Sequence, residues 1–215
     1  MPRALAPELL DSASAADAAL NLRDIAFLNR WFGGHAILRR SLRAVAQPHE
    51  KLTIADIGAA SGDHARIAKA TLPQATVISL DLQPRNLALA PDPRLIADAF
   101  ALPFKHQSID IVTTALFLHH FTDQQIIELL RSFRSIAKRA VIVQDLERHP
   151  IAHAFLPATK AVFRWHPLTV HDGSISVAAA FTKNELAALL EAAGFAHPNV
   201  TTHGLAFRLS AILRK

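Results

Sequence analysis

Cysteine is absent from the 215 residues of the sequence. This absence excludes a disulfide framework, a thiolate nucleophile and any zinc or iron–sulfur site that needs cysteine ligands. Tyrosine is absent too, which together with the use of arginine contributes to a sequence pI of about 10.1. The compartment of the protein therefore has to be predicted from features other than cysteine usage.

Long hydrophobic runs are also missing. No uninterrupted apolar stretch reaches the roughly 18–20 residues of a membrane-spanning helix. The N-terminal segment contains Arg3, but Glu8 and Asp11 interrupt it, and the apolar core of a signal peptide does not follow. We therefore expect a cytoplasmic protein without a membrane span.

The sequence has no block of basic residues. Lys and Arg number 23 and Asp and Glu number 18, which gives a formal net charge of +5. Because the basic residues are scattered, the sequence argues against a nucleic-acid partner. Hydrophobic residues make up 51% of the chain, so it can bury a core, and its length fits one domain of ordinary size.

Helical spacing of apolar residues dominates the first part of the chain. We expect residues 1–50 to form a helical cap, in which Gly33 and Gly34 separate two helices. The helices predicted for this cap cover residues 1–20, 21–32 and 36–45.

From residue 51 onward, short apolar runs alternate with amphipathic helices, which predicts a single α/β domain over residues 51–215. Such alternation is typical of a doubly wound, mostly parallel sheet that is covered by helices on both faces. The predicted strands are 52–58, 75–80, 94–97, 109–115, 139–144, 199–202 and 206–213, and the predicted helices are 62–71, 123–138 and 182–193.

The connection at residues 150–180 is longer than the usual link between a strand and a helix. It contains Trp165 and three histidines, His153, His166 and His171, without clean periodicity. Long insertions at the carboxyl edge of such a sheet often build substrate pockets. A packing helix followed by a loop is the alternative interpretation.

A turn rich in small residues joins the first predicted strand to the following helix. Dinucleotide binders use G-x-G-x-x-G at such a turn, but this chain has Ala60 and Asp63 where the second and third glycines are needed. A carboxylate at Asp63 would also repel a pyrophosphate. The observed spacing is instead D-x-G-x-A-x-G, formed by Asp56, Gly58, Ala60 and Gly62.

This spacing resembles the first motif of class I S-adenosylmethionine-dependent methyltransferases, (D/E)-x-G-x-G-x-G. Ala60 replaces the middle glycine, and alanine is a small substitution that is tolerable if φ at this position is negative. The resemblance covers residues 50–215. It implies a Rossmann-like sheet of seven strands with an antiparallel last strand. The stretch from Asp145 to Phe181 is similar to bacterial methyltransferases found with polyketide, phenolic-lipid or quinone pathways.

The resemblance implies S-adenosylmethionine as cofactor. Asp81, at the end of the second strand, would accept hydrogen bonds from the ribose hydroxyls, and Asp98 and Ala99 would face the adenine. Arg30, in the segment L-N-R-W-F-G-G-H, would reach the cofactor's carboxylate. Alternatives remain, since Asp81 could cap a helix and Arg30 could be a surface cation. The predicted cofactor residues are Arg30, Asp56, Gly58, Ala60, Gly62, Asp81, Leu82, Asp98 and Ala99.

Two adjacent histidines, His119 and His120, follow the fourth predicted strand. A neutral histidine can remove the proton of a phenol or enol, so both are candidate catalytic bases. Because neighbouring residues of an extended chain point to opposite faces, we expect only one of them to face the pocket. A purely structural strand exit is the alternative.

Aromatic and aliphatic side chains of the long insertion could line an apolar acceptor pocket. We therefore expect O-methylation of a hydroxylated aromatic or polyketide-like small molecule, with methylation at carbon or nitrogen left open. The side chains expected to line that pocket are Phe155, Leu156, Val162, Phe163 and Trp165.

No metal site is predicted. His149 and His153 stand four residues apart, but no glutamate follows the first histidine and no third ligand is near. Metal-dependent relatives carry an acid at the exit of the fourth strand, where this chain has Leu118, His119 and His120.

Three other functions compete with small-molecule methyl transfer. A nicotinamide-dependent oxidoreductase is disfavoured by Ala60 and Asp63, and an RNA-modifying enzyme by the scattered charge. A non-catalytic binding subunit with the same fold is the third. A homodimer is left open.

Overall fold

The computed structural model describes residues 2–215 and contains one seven-stranded sheet in the order β3-β2-β1-β4-β5-β7-β6. Strands β1 to β5 pair in parallel, and β7 is antiparallel to both of its neighbours. The predicted α/β fold with an antiparallel last strand is therefore confirmed. The strands are β1 Thr53–Ile57, β2 Thr76–Asp81, β3 Arg94–Ile96, β4 Ile109–Ala115, β5 Ala137–Leu146, β6 Val200–His203 and β7 Arg208–Arg214.

Helices cover both faces and one edge of this sheet. Thr122 and Thr182 begin two of them with capping boxes, which satisfy backbone N–H groups that the first helical turn leaves unpaired. The helices are α1 Ala15–Trp31, α2 Gly34–Val45, α3 Asp63–Thr71, α4 Pro84–Leu87, α5 Asp123–Ile136, α6 Pro150–Phe163, α7 Pro167–Ala179 and α8 Lys183–Ala192. Short 3-10 turns cover Leu9–Ser12, Leu118–His120 and Gly204–Ala206.

Neighbouring residues of the central strands enter different hydrophobic clusters. Ile54 and Ile111 pack with α2 and α3 on one face, whereas Ala55 and Val112 pack with α5 and α8 on the other. This alternation follows from the two-residue period of a strand and explains why both faces of the sheet need helices. Because helices cover the two faces, a site can form where the parallel strands end. These are the carboxyl ends of β1, β2, β4 and β5.

The N-terminal segment departs from the prediction of a helix over residues 1–20. Met1 lies outside the described residues, residues 2–8 are not helical, and α1 begins only at Ala15. Pro7 disfavours helical geometry at the residue before it. In addition, the carboxylate of Asp172 accepts the backbone N–H groups of Leu9 and Leu10, at 3.0 and 2.9 Å, which ties this segment to α7.

The long insertion consists of two helices, α6 and α7, rather than one helix and a loop. They cross closely at Gly173, where an added Cβ would lie 2.2 Å from Leu156. An aromatic cluster packs α1 against the insertion; its members are Phe27, Trp31, Phe32, Phe155, Phe163 and Trp165. None of the helices within residues 2–215 has the length and apolarity that crossing a membrane requires.

Candidate active site

A cavity of about 720 Å³ opens at the carboxyl edge of the sheet. Its walls come from the turn after β1, the ends of β2, β4 and β5, the start of β7, and residues of α1, α6 and α7. A volume in this range holds a small molecule of cofactor size. The sequence-predicted residues can therefore be compared with the walls of one cavity.

The turn between β1 and α3 needs a left-handed backbone at three positions. Gly58 and Gly62 both have φ of 71°, and an added Cβ would lie 2.3 Å from the ring of Phe117 at Gly58 and 2.6 Å from Pro91 at Gly62. Glycine is thus required at both. Gly58 lines the cavity, whereas Gly62 is not part of its wall and serves the packing of the turn.

Ala60 has a φ of 46°, so the condition under which alanine is tolerated without strain is not met. Its N–H donates to Oδ2 of Asp81 at 2.9 Å, and this bond holds the residue in the left-handed region. Side chains other than glycine pay about 1 kcal/mol for that conformation. The turn is therefore strained at Ala60, which lines the cavity.

Asp81 ends β2 and faces the cavity. Its Oδ1 accepts the N–H of Gln83 at 2.9 Å while Oδ2 accepts the N–H of Ala60. Each carboxylate oxygen has a second lone pair, so both can still accept a hydroxyl. Leu82, which is 60% exposed, and the loop residues Asp98 and Ala99 line the same part of the cavity.

Asp56, predicted to have a role in cofactor binding, is not part of the cavity wall. Its side chain is buried, with Oδ1 accepting the hydroxyl of Thr113 at 3.0 Å and Oδ2 without a partner within residues 2–215. Burial raises the pKa of Asp56 to about 7, and the nearby carboxylates of Asp63 and Asp81 add to the shift. A carboxyl in this position supports the turn from below.

Arg30 was predicted to reach the cofactor's carboxylate, and the structure places it away from the cavity. Its side chain is exposed, the guanidinium lies over the ring of Trp31 at 5.3 Å, and the residue is not part of the cavity wall. The cause is geometric, because the cavity face of α1 is formed by other residues, among them Leu22 and Asn29.

Arg208, the first residue of β7, lines the cavity and was missed. It is buried, and its Nη2 donates to Oδ1 of Asn29 at 2.8 Å, whereas Nε and Nη1 have no partner among the described residues. Burial lowers its pKa to about 10, which still leaves the guanidinium charged at neutral pH. One feature of the sequence could have indicated Arg208. It is a charged residue at the start of a strand that runs antiparallel, and the start of such a strand lies beside the carboxyl ends of the parallel strands.

His119 and His120 follow β4 in a 3-10 turn, and both line the cavity. The expectation that only one faces it is wrong, since the chain is not extended there. Nδ1 of His119 lies 2.6 Å from Oδ1 of Asp145, and Nε2 lies 3.8 Å from Oε1 of Glu8. Burial would lower the pKa of His119, but Asp145 and Glu8 outweigh it and raise the pKa to about 9.

The raised pKa of His119 argues against its predicted role as a neutral base. At neutral pH the His119 imidazole is a cation between two carboxylates. Such a group donates hydrogen bonds from both ring nitrogens and stabilises a negative oxygen, but it takes up no proton.

Glu8 is the other residue that the sequence did not reveal. Its Oε1 lies 3.8 Å from Nδ1 of His120, and the hydroxyl of Ser176 donates to the same carboxylate. Burial would raise the pKa of Glu8, but His119 and His120 outweigh it and lower the pKa. The N-terminal segment therefore brings an ionised carboxylate into the cavity.

Glu8, His119 and His120 place one ligand atom each within 4.8 Å of one another, which is the spacing of a metal site. The two imidazole rings are 4.3 Å apart with an interplanar angle of 33°. His149, considered above as a ligand, instead caps α6 by accepting the N–H of Ile151.

The predicted acceptor wall is only partly correct. Phe155 and Leu156 line the cavity. Val162 is 77% exposed, and Phe163 and Trp165 belong to the aromatic cluster instead. The insertion thus contributes to the pocket mainly through the helix faces of α6 and α7.

The family model and the curated relatives that this chain resembles are all methyltransferases. Residues 55–150 match the methyltransferase domain family. The chain is 37% identical over 109 residues to a demethylmenaquinone methyltransferase from Thermus thermophilus, covering 46% of this chain and 50% of that protein. It is 32% identical over 103 residues to the enzyme of the same name from Thermotoga maritima, covering 45% and 44%. The chain spans about half the length of these curated relatives.

Solved structures show the same fold. A plantazolicin methyltransferase in complex with a monoazolic desmethylPZN analogue and SAH is similar with a TM-score of 0.69 at 15% identity, over 92% of this chain and 88% of that one. Human N-acetylserotonin methyltransferase in complex with SAM is similar with a TM-score of 0.58 at 18% identity, over 88% and 55%.

Proposed function

We propose that this chain transfers the methyl group of S-adenosylmethionine to an oxygen of a hydroxylated aromatic or polyketide-like small molecule. The match of residues 55–150 to the methyltransferase domain family supports this proposal. One observation carries the proposal. The turn after β1, Asp81 and the two histidines all line one cavity of about 720 Å³.

The residues on the nucleoside side fit this cofactor. Asp81 keeps acceptor capacity for two ribose hydroxyls, and Leu82 and Ala99 offer apolar contact for an adenine beside Asp98. Gly58 lets a ligand approach the backbone because it has no side chain. When bound, S-adenosylmethionine supplies an electrophilic methyl group on a sulfonium sulfur.

The acceptor side is built for a hydroxyl that ionises readily. His119, which lines the cavity, holds a proton on Nε2 on the side of Glu8, and Asp145 fixes the ring through Nδ1. A hydrogen bond from Nε2 favours the anionic, more nucleophilic form of a phenol or enol oxygen. Phe117, Phe121 and Phe155 line the apolar remainder and exclude water from an aromatic acceptor.

His120 is the second acceptor-side group in the proposal. It lines the cavity next to His119 and is more exposed than its neighbour. In this role it orients the acceptor oxygen and gives its proton a route to solvent. Orientation of the reacting atoms can supply roughly 7–11 kcal/mol of the barrier in favourable cases.

Binding and turnover test the proposal separately. We expect S-adenosylhomocysteine to bind with micromolar affinity in calorimetry. We also expect methyl-labelled donor to modify members of a panel of phenols, while the matched O-methylated phenols remain unmodified. Absence of binding heat together with binding of NADH would favour the oxidoreductase alternative. Binding without turnover on any acceptor would favour a non-catalytic subunit, and label on carbon or nitrogen would correct the acceptor atom.

A further inference from the structure

Four large apolar side chains are exposed near the opening of the cavity. Leu205 lines the cavity although it is 99% exposed, so it marks the opening. Trp31, at the end of α1, is 64% exposed, and Ile151 and Val162 of α6 are 62% and 77% exposed. A group of exposed apolar side chains is typical of a surface that another molecule covers. These four residues are termed the apolar rim.

Ring contacts place Trp31 beside the carboxyl end of α6. The ring centroid of Phe27 lies 6.2 Å from that of Trp31 and 6.1 Å from that of Phe163. Val162 directly precedes Phe163 in α6, and both are exposed. The ends of the two helices therefore bring exposed apolar side chains to one seam.

The other end of α6 lies beside the turn that carries Leu205. The ring centroid of His149, which caps α6, lies 5.1 Å from that of Phe207, two residues after Leu205. Ile151 follows this cap in the first turn of α6. Ile151 and Val162 stand about three helical turns apart, which places them on the same face of the helix. The apolar rim therefore follows α6 from the turn to the end of α1.

Exposed cations accompany the apolar rim. The segments 25–49 and 148–171, which contain Trp31 and α6, have no Asp or Glu. The chain as a whole has 18 of these acids, so its negative charge lies elsewhere in the sequence. The exposed basic residues of the two segments are Arg30, Arg40, Arg43, Lys160 and Arg164.

A negatively charged lipid surface complements this combination. Its headgroups attract Lys and Arg, and the boundary with its acyl chains accepts apolar side chains, among which tryptophan is enriched. A free phosphate would meet the cations but would leave the apolar rim in water. A second copy of this chain docked through the same surface would bring cations against cations. The lipid surface therefore fits both the charge and the apolarity.

We propose that the apolar rim docks this protein on the surface of an anionic bilayer. Trp31, Val162 and Leu205 enter the boundary between headgroups and acyl chains. Lys160 and Arg164 meet the lipid phosphates. Because Leu205 also lines the cavity, docking turns the opening of the cavity toward the bilayer. This proposal does not depend on methyl transfer.

Vesicle flotation tests the docking on the wild-type chain. The vesicles consist of phosphatidylcholine alone or of an equimolar mixture of phosphatidylcholine and phosphatidylglycerol. We expect binding to the mixture to be tighter by about tenfold or more, and to weaken as the ionic strength rises. Binding to neither vesicle, or equal binding to both, would overturn the proposal and leave the proposed function standing.

An apolar double variant tests the rim itself. Val162→Ser/Leu205→Ser should weaken binding to the mixed vesicles by about tenfold or more, because two inserted side chains are lost. Leu89→Ser/Ile96→Ser is the matched control, since both residues are exposed outside the cavity wall, and it should retain binding. Unchanged binding in Val162→Ser/Leu205→Ser would overturn the proposal. If this variant does not fold, Leu205→Ser alone replaces it, because that side chain is exposed.

A charge double variant separates a local surface from net charge. Lys160→Gln/Arg164→Gln should weaken binding to the mixed vesicles by about tenfold. Lys51→Gln/Lys105→Gln removes the same charge from exposed residues that precede the parallel strands β1 and β4, toward the edge of the sheet opposite the cavity. Equal losses in the two variants would mean that net charge alone attracts the vesicles, and would overturn the proposal.

Sedimentation without vesicles tests the other occupant of the apolar rim. We expect wild type and Val162→Ser/Leu205→Ser to sediment alike. A dimer that this variant dissociates would assign the apolar rim to a second copy of the chain and overturn the proposal.

Discussion

Nδ1 of His119 lies 2.6 Å from Oδ1 of Asp145, at the point where the neighbouring strands β4 and β5 end. Both side chains are buried, so little solvent screens their interaction. The contact fixes the ring and leaves Nε2 toward Glu8 and the cavity. The charge on His119 therefore depends on the Glu8 carboxylate, which lies near Nε2.

Replacing Glu8 by Gln should lower the pKa of His119 below its value of about 9, because one of its two carboxylate partners loses its charge. The imidazole signals of His119 in an NMR pH titration measure this shift. Glu128→Gln is the matched control, since Glu128 is an exposed residue of α5. An unchanged midpoint in Glu8→Gln would show that Asp145 alone sets the charge.

The same raised pKa predicts that the protein loses stability in alkali. The folded pKa of about 9 exceeds the ordinary value of 6.5, so protonation of His119 favours the folded state below about pH 6.5, and this contribution disappears as the pH rises through 9. We expect the free energy of unfolding to fall by on the order of 2 kcal/mol between about pH 7 and pH 10. Urea unfolding of wild type and His119→Gln at both pH values measures this fall. An equally steep fall in the variant would contradict its assignment to His119.

Asp56→Asn should stabilise the protein, and more so at higher pH. The folded pKa of about 7 lies above the ordinary 3.8, so ionising this buried acid costs stability increasingly as the pH rises toward 7. The gain from Asn is expected to grow by about 2 kcal/mol between about pH 5 and pH 8. Thermal melts at both pH values test this, with Asp110→Asn on β4 as a partly exposed control. A gain that does not depend on pH would argue against ionisation as its cause.

Ala60→Gly should raise the free energy of unfolding by about 0.5–1 kcal/mol, because glycine adopts a φ of 46° without the strain that alanine bears. Ala59→Gly is the neighbouring control and should destabilise, since Ala59 is buried and is not among the described residues with positive φ. Denaturant midpoints of the two variants decide the matter. Changes of the same sign in both would mean that strain at Ala60 is not the cause.

Asp81→Ala should remove most binding of S-adenosylhomocysteine, because it deletes both oxygens that hold the turn and would receive ribose hydroxyls. Asp81→Asn keeps one acceptor oxygen and should lose less affinity. Asp92→Ala, an exposed acid before β3, is the control. Calorimetry gives the three affinities, and full affinity in Asp81→Ala would exclude the proposed ribose contact.

The sheet and most helices could be predicted because the signals are local. The run L-T-I-A-D-I-G ends in glycine, and β1 ends one residue before Gly58. Thr122 and Thr182 mark the starts of α5 and α8 through capping boxes that the sequence alone specifies. The periodicity of apolar residues, together with these local signals, was therefore enough to predict the fold.

The site was less predictable because its contacts join distant parts of the chain. Glu8 reaches His119 only because Asp172 holds the backbone of Leu9 and Leu10 against α7. Arg208 enters the cavity because β7 runs antiparallel, and the turn adopts positive φ at Ala60 because Asp81 accepts its N–H. None of these pairings has a signature in sequence spacing.

The aromatic cluster between α1 and α6 contains both tryptophans of the chain, Trp31 and Trp165. Since tyrosine is absent, intrinsic ultraviolet emission arises almost entirely from this one location. Native fluorescence therefore reports on how the N-terminal helix rests against the insertion. A change in emission when a ligand is added would signal a rearrangement of that contact, without any attached dye.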